Sequence, residues 1–204
     1  INVSTGKHQE ICNVPTPSAY YVCSMAYDRS NGKMFFTTNN ARDWRDLNVV
    51  DLATGDDDRL LKGARAGDLA FNPADHSLWG VVHHNGISRV ARFKEPYKTW
   101  TEPLVLDYGK DLFDLDVSPD GKFLTGSLIE ISGRQRLVRF EIAKLLNGDP
   151  TFEVLYEFED NSPMNFVFSP DGRYLFGTTY YTGVSNVVRY DFARKTMEWI
   201  TNSE

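Results

Sequence analysis

The sequence predicts an all-β protein with the architecture of a β-propeller, in which four-stranded antiparallel sheets, the blades, surround a central channel. Two observations predict this fold. A hairpin motif recurs four times, and its turn positions, Gly32, His76, Gly121 and Gly172, are separated by 44, 45 and 51 residues. Two further apolar segments, divided by turn residues, follow each copy. Four short strands in a repeat of about 45 residues are typical of a propeller blade and not of a helical solenoid.

Each copy of the motif joins two apolar strands through a tight turn. The copies at Leu115–Gly126 and Phe166–Gly177 match closely, whereas those at Leu69–Gly80 and Met25–Phe36 are degenerate. The well-preserved turns read Ser-Pro-Asp-Gly, and glycine supplies the positive φ that a tight hairpin needs. His76 stands in the place of that glycine in the second copy, and histidine tolerates positive φ better than most side chains.

A third strand and an outer strand complete each unit. The third strands are expected at Leu47–Leu52, Val90–Phe93, Leu137–Ile142 and Asn186–Phe192, and outer strands include Glu153–Phe158 and Met197–Thr201. Ala143–Leu146 has the pattern of a helical turn.

The units predict one propeller segment over residues 1–204. Four complete blades are expected at residues 24–61, 66–106, 112–158 and 163–201, and residues 1–12 are expected to form the last strands of a preceding blade. Four blades and part of a fifth leave open sheet edges, which a closed ring would remove. We therefore expect a fragment of a six- to eight-bladed ring, with the remaining blades of the same chain as its nearest partners.

Composition and charge exclude several classes of function. The formal net charge is −6 and the pI is about 5.3, which argues against a nucleic-acid-binding surface. No apolar run reaches the roughly 18 residues that a membrane-spanning helix needs. The sequence also lacks a Walker loop, a dinucleotide fingerprint and a zinc-protease motif, so we expect no cofactor, no metal and no catalytic residue in this segment.

The two cysteines, Cys12 and Cys23, leave two alternatives open. They form a disulfide in an oxidising compartment, or they are two small buried side chains. Neither lies in a CxxC pair or beside a histidine cluster, which argues against zinc.

One face of the predicted propeller is the candidate binding surface. It bears the loops between the second and third strands together with the starts of the inner strands, and we call it the loop face; the opposite face, with its short repeated turns, is the turn face. Variable loops on a rigid frame commonly bind partners, and Trp, Tyr and Arg are common anchors. The alternative is that the aromatic side chains pack under their own loops. The candidate residues are Arg42, Trp44, Arg45, His84, Arg134, Tyr180 and Tyr181.

A second set of candidates lies five positions before the proline of each repeat, or in the corresponding place of the first unit, which lacks the proline. These residues start the inner strands and should surround the channel mouth: Ser24, Asp68, Asp114 and Asn165. Three roles are open for them. They cap backbone N–H groups of their own or the next blade, they hold a cation or ligand through oxygen atoms, or they act as acid and base in a glycosidase.

The repeated motifs resemble the TolB-like and WD-repeat-like propellers. TolB-like blades carry a Ser-Pro-Asp-Gly-Lys/Arg hairpin and a Tyr-Asp-Leu-x-Thr-Gly turn, to which Ser118–Lys122, Ser169–Arg173, Val50–Gly55 and Tyr190–Phe192 correspond. The resemblance covers essentially the whole chain. Residues 176–191 also look like part of a large bacterial envelope protein. The resemblance implies a periplasmic or extracellular location and a protein partner, and it assigns no catalytic residue.

The sequence therefore predicts a non-catalytic protein–protein interaction scaffold in the bacterial cell envelope. Similar blades also form the gating propeller of prolyl-oligopeptidase-type enzymes, so one alternative is an accessory propeller of a secreted peptidase or other hydrolase. The other alternative is a propeller glycosidase that uses Asp68 and Asp114.

Overall fold

The computed structural model describes residues 4–11, 24–39, 44–158, 161–180 and 183–203. Within these residues there are sixteen strands and one short helix. The strands form four four-stranded antiparallel sheets, and in each sheet the strands are neighbours in the order in which they follow along the chain. The sheets are the blades of a β-propeller, which confirms the predicted fold class. No helix in the described part of the chain is long and apolar enough to cross a membrane.

The strands of blade 1 are β1 (Met25–Asp28), β2 (Lys33–Asn39), β3 (Arg45–Asp51) and β4 (Asp57–Leu61). Those of blade 2 are β5 (Ala66–Phe71), β6 (Leu78–His84), β7 (Ile87–Phe93) and β8 (Trp100–Val105). Blade 3 comprises β9 (Lys110–Val117), β10 (Phe123–Glu130), β11 (Gln135–Glu141), the helical turn α1 (Ile142–Leu146) and β12 (Phe152–Glu157). Blade 4 comprises β13 (Met164–Phe168), β14 (Tyr174–Thr179), β15 (Asn186–Asp191) and β16 (Thr196–Trp199).

The predicted strands at the start of the chain are not seen in residues 4–11. This segment forms a turn followed by residues that belong to no strand, and all of its residues are exposed. The polar run from Lys7 to Glu10 offers little apolar surface for one face of a strand to bury. The segment lies instead against the turn between β3 and β4, where a Cβ added to Gly55 would meet the Ile11 carbonyl oxygen at 2.7 Å.

The repeated Ser-Pro-Asp-Gly hairpins are built from local hydrogen bonds. The Ser118 hydroxyl donates to the Asp120 carboxylate (2.7 Å) and accepts the Phe123 N–H (2.9 Å), which closes the turn. Ser169 makes the equivalent pair of bonds in blade 4. Gly121 has a φ of 72°, and His76, in the equivalent place of blade 2, has a φ of 55°.

The core lies between the blades. Successive side chains of a strand point to opposite faces of its sheet, so each blade presents one apolar face to each neighbour. Phe35 and Leu78 belong to the cluster between blades 1 and 2, and Trp79 and Leu124 to the one between blades 2 and 3. A third cluster joins Leu137 and other residues of blade 3 to blade 4.

The inner strands hold consecutive blades together. β1 packs against β5, β5 against β9, and β9 against β13. Within the described residues, no packing of similar extent joins β13 to β1. Each inner strand therefore contacts the next along the chain, and their starts meet at the loop face.

Candidate functional site

The channel mouth on the loop face contains a cavity of about 380 Å³. All four residues predicted for the mouth line this cavity: Ser24, Asp68, Asp114 and Asn165. Each comes from a different blade, so the structure brings the four blades together at one place. A binding role for these residues stays a prediction.

Local bulges in the inner strands place these side chains. The pairing register shifts between Gly67 and Ala70 in β5 and between Met164 and Val167 in β13, and a corresponding shift occurs in the pairing of β9 with β10. At these bulges Asp68, Asp114 and Asn165 have φ values of 49°, 52° and 55°. Asp and Asn are the residues other than glycine that adopt this left-handed conformation most readily.

The mouth residues connect each blade to the next by hydrogen bonds. The Ser24 hydroxyl accepts the Leu69 N–H at 2.6 Å, and the Asp68 carboxylate accepts the Asp114 N–H at 3.0 Å. The Asp114 carboxylate accepts the Asn165 N–H at 2.8 Å. Of the three roles left open by the sequence, the geometry shows capping of the next blade.

Two carboxylates near the channel have raised pKa values. Burial raises the pKa of Asp114; the hydrogen bond from Asn165 opposes this shift and the charge of Asp68 adds to it. Asp116, two positions further along β9, accepts the Phe168 N–H of blade 4 at 2.6 Å. Burial raises the pKa of Asp116 to about 6, although its backbone hydrogen bonds act in the opposite direction.

Arg45 adds a positive charge to the mouth. It is the one residue of the predicted loop-face set that lines the cavity within the described residues, and its guanidinium occupies the space where a Cβ on Gly67 would stand. Met25 and Val167 supply apolar surface beside it. The mouth can therefore contact acidic, basic and apolar groups of a ligand at once.

The other predicted loop-face residues that the structure describes do not line the cavity. Trp44 is half exposed, and the guanidinium carbon of Arg65, on the connection between β4 and β5, is 3.5 Å from its ring centroid. Arg134 pairs with Glu157 at 2.5 Å, and His84 and Tyr180 are exposed. Arg42 and Tyr181 lie outside the described residues, as do Cys12 and Cys23. No group of three or more His, Cys, Asp or Glu side chains in the described part could hold a metal ion.

Two prominent apolar side chains were not among the predicted candidates. Tyr108 is 80% exposed and Ile131 is 83% exposed. Tyr108 lies on the connection between β8 and β9, and Ile131 lies on the connection between β10 and β11. The two connections are neighbours in space, because a Cβ on Gly109 would lie 3.2 Å from the Ile131 Cβ. An isoleucine in the polar Glu130–Gly133 loop is a signal that sequence reasoning could have used.

Comparison with known proteins identifies the fold. Neither a known protein family nor a curated protein matches the sequence. Among solved structures, TolB from Acinetobacter baumannii superposes with a TM-score of 0.70 over 88% of this chain at 17% identity. A putative TolB from Agrobacterium tumefaciens gives a TM-score of 0.71 over 88% of the chain at 12% identity. The chain has the TolB propeller fold.

This TolB-like chain spans 43% and 65% of the lengths of those two TolB chains. The fold is also shared with enzymes. A prolyl endopeptidase structure matches 89% of the chain with a TM-score of 0.57 and 16% identity, and the chain spans 28% of that protein. At these identities the likeness shows the fold alone.

Proposed function

We propose that this TolB-like chain is a non-catalytic propeller segment that binds a protein partner on its loop face, centred on the channel mouth. The observation that carries this proposal is the mouth cavity, which receives side chains from all four blades. A site formed between blades is rigid, since the inner strands that surround it are hydrogen-bonded to one another.

The surroundings of the mouth support a protein partner over a small hydrophilic ligand. Met25 is exposed at the cavity, and Tyr108 and Ile131 stand out from the same face. Apolar side chains surrounded by polar ones are typical of the centre of an interface. The TolB-like resemblance adds a location, the periplasmic or extracellular side of the bacterial envelope.

The glycosidase alternative has one observation in its favour, which is that Asp68 and Asp114 share the cavity. Both carboxylates, however, already accept a backbone N–H from the next blade. An acid or base must exchange protons with a substrate, and a carboxylate that holds two blades together serves a structural purpose first. These bonds support the non-catalytic proposal.

Site-specific photocrosslinking in the source cells tests the proposal. Photoreactive p-benzoylphenylalanine is placed at Ile131 or Met25 on the loop face, and at Lys122 on the turn face as a control. We expect one discrete crosslinked product from both loop-face positions, absent from Lys122 and lost when Tyr108→Asp is added. Equal products from the two faces, or no product from either loop-face position, would contradict the proposal.

A further inference from the structure

Three Asn-Gly pairs occur in the sequence, at Asn31-Gly32, Asn85-Gly86 and Asn147-Gly148. An asparagine side chain can cyclise onto the backbone nitrogen of the next residue, and a following glycine hinders this reaction least because it has no Cβ. The sequence alone makes the three pairs equal. The structure separates them, because they differ in the hydrogen bonds that hold the two reacting groups.

Asn85 and Gly86 form the turn between β6 and β7 of blade 2. The flanking residues His84 and Ile87 pair across the two strands, so the turn contains two residues. Their φ values are 52° and 74°, which is the pattern of a tight hairpin turn with positive φ at both positions. Asn85 is exposed. Within the described residues, neither its side chain nor the Gly86 N–H has a hydrogen-bond partner, so both reacting groups are free.

At Asn31 the side chain is held by hydrogen bonds. Its Nδ2 donates to the Asp28 carboxylate at 2.7 Å, and its backbone N–H donates to the same carboxylate at 3.2 Å. Asp28 is 2% exposed, so this acceptor is buried. Cyclisation requires the Asn31 side chain to leave the carboxylate, and a buried acceptor that loses a donor is unfavourable. The fold therefore protects Asn31.

At Asn147 the attacking nitrogen is held instead of the side chain. The Gly148 N–H donates to the Leu145 carbonyl oxygen at 3.0 Å, and the Asn147 N–H donates to the Lys144 carbonyl oxygen at 3.0 Å. These bonds close the end of α1. The Gly148 nitrogen must lose its proton to attack, and the hydrogen bond to Leu145 opposes that loss. The fold therefore protects Asn147 as well.

We propose that Asn85 is a site of spontaneous deamidation and the most reactive of the three in the folded chain. The backbone nitrogen of Gly86 attacks Cγ of Asn85, so that a C–N bond forms and this nitrogen gives its proton to a base in the solvent. The Cγ–Nδ2 bond then breaks, and the amide nitrogen takes up a proton and leaves as ammonia. Water, the one co-reactant, opens the resulting succinimide ring to aspartate or isoaspartate.

The two products affect the hairpin differently. Aspartate keeps the backbone unchanged and tolerates positive φ, so the turn is preserved. Isoaspartate carries the chain through its side chain and adds a carbon atom to the backbone, so the two-residue turn between His84 and Ile87 cannot form unchanged. Either product places a new carboxylate on the loop face, because the β6–β7 connection joins the second and third strands of blade 2. The modification does not depend on the function proposed for the channel mouth.

Peptide mapping by mass spectrometry measures all three sites in one digest. The full 204-residue chain is incubated in mildly alkaline buffer, once folded and once unfolded in urea. In the folded chain we expect Asn85 to deamidate about tenfold faster than Asn31 and Asn147, because each of the other two must first break hydrogen bonds. In urea the three sites should react at similar rates, because each is the same dipeptide without the fold around it.

Two variants identify the reaction at this site. Asn85→Gln lengthens the side chain, which disfavours closure of the five-membered ring, and should abolish the mass change in this peptide. The peptide from Asn85→Asp is the standard for aspartate, and a product of equal mass that elutes apart from it is isoaspartate. The proposal is overturned if Asn31 or Asn147 reacts as fast as Asn85 in the folded chain. It is also overturned if Asn85 stays intact in the folded chain.

Discussion

Asp116 is a carboxylate placed among apolar neighbours on the inner strand of blade 3. Its counterparts in blades 2 and 4, at the same distance from the turn, are Ala70 and Val167. The sequence therefore marks the position as unusual. It could not predict the acceptor role, because the Phe168 N–H that Asp116 binds lies on another blade, 52 residues away in the chain.

The raised pKa of Asp116 predicts a pH-dependent effect of Asp116→Asn. The pKa is about 6 in the folded state, against 3.8 for an unperturbed aspartate, so folding favours the protonated form. The stability that Asp116 contributes is complete below pH 3.8 and is lost as the pH rises through 6. Asparagine keeps an oxygen for the Phe168 N–H and carries no charge. We expect Asp116→Asn to gain stability relative to the native protein between pH 4 and 8, by at most about 3 kcal/mol.

Chemical denaturation across this pH range measures the effect. Asp58→Asn, which removes an exposed carboxylate on β4, is the control. A stability difference between the native protein and Asp116→Asn that stays constant from pH 4 to 8 would contradict the interpretation.

The elements of this fold differ in how far the sequence determines them. The Ser-Pro-Asp-Gly hairpins were predictable because all their hydrogen bonds lie within six residues, and the helical turn expected at Ala143–Leu146 is present as α1. The bulges at Asp68, Asp114 and Asn165 were not predictable, because they depend on pairing with another strand. The sequence nevertheless predicted that these residues lie at the channel mouth, because each of them lies five positions before the proline of its repeat.

Substitutions of Asp68 separate two contributions that this residue makes to stability. One is the hydrogen bond that its side chain accepts, and the other is its tolerance of a positive φ. Asp68→Asn keeps an acceptor for the Asp114 N–H and tolerates the φ of 49°. Asp68→Gly loses the acceptor but adopts this φ freely. Asp68→Ala loses both, and we expect it to lower the free energy of unfolding by about 2 kcal/mol. The glycine variant should fall between the other two. Equal stability of the alanine and asparagine variants would show that neither the bond nor the backbone conformation matters.

At the scale of the whole molecule, the face of blade 4 that points away from blade 3 resembles the face of blade 3 that packs against blade 4. In blade 3, the guanidinium carbon of Arg139 lies 4.4 Å from the ring centroid of Phe123 and 5.0 Å from that of Phe192 in blade 4. Arg189 lies over Tyr174 in the same way, at 4.5 Å. Within the described residues, no further blade covers this second pair. The face is therefore built like an interface between blades.

This unpaired face predicts self-association of the 204-residue chain. Val167 is 52% exposed, and Val187 is also exposed beside the half-buried Phe176. Exposed apolar sheet surfaces of this kind bind other copies when nothing else covers them. We expect sedimentation velocity to show an average mass that rises with concentration, and the double variant Val167→Lys, Val187→Lys to reduce it towards the monomer. Two lysines at Leu146 and Val154, exposed apolar positions away from this face, should leave the association unchanged. A native chain that sediments as a monomer at every concentration would show that blade 4 needs no neighbour.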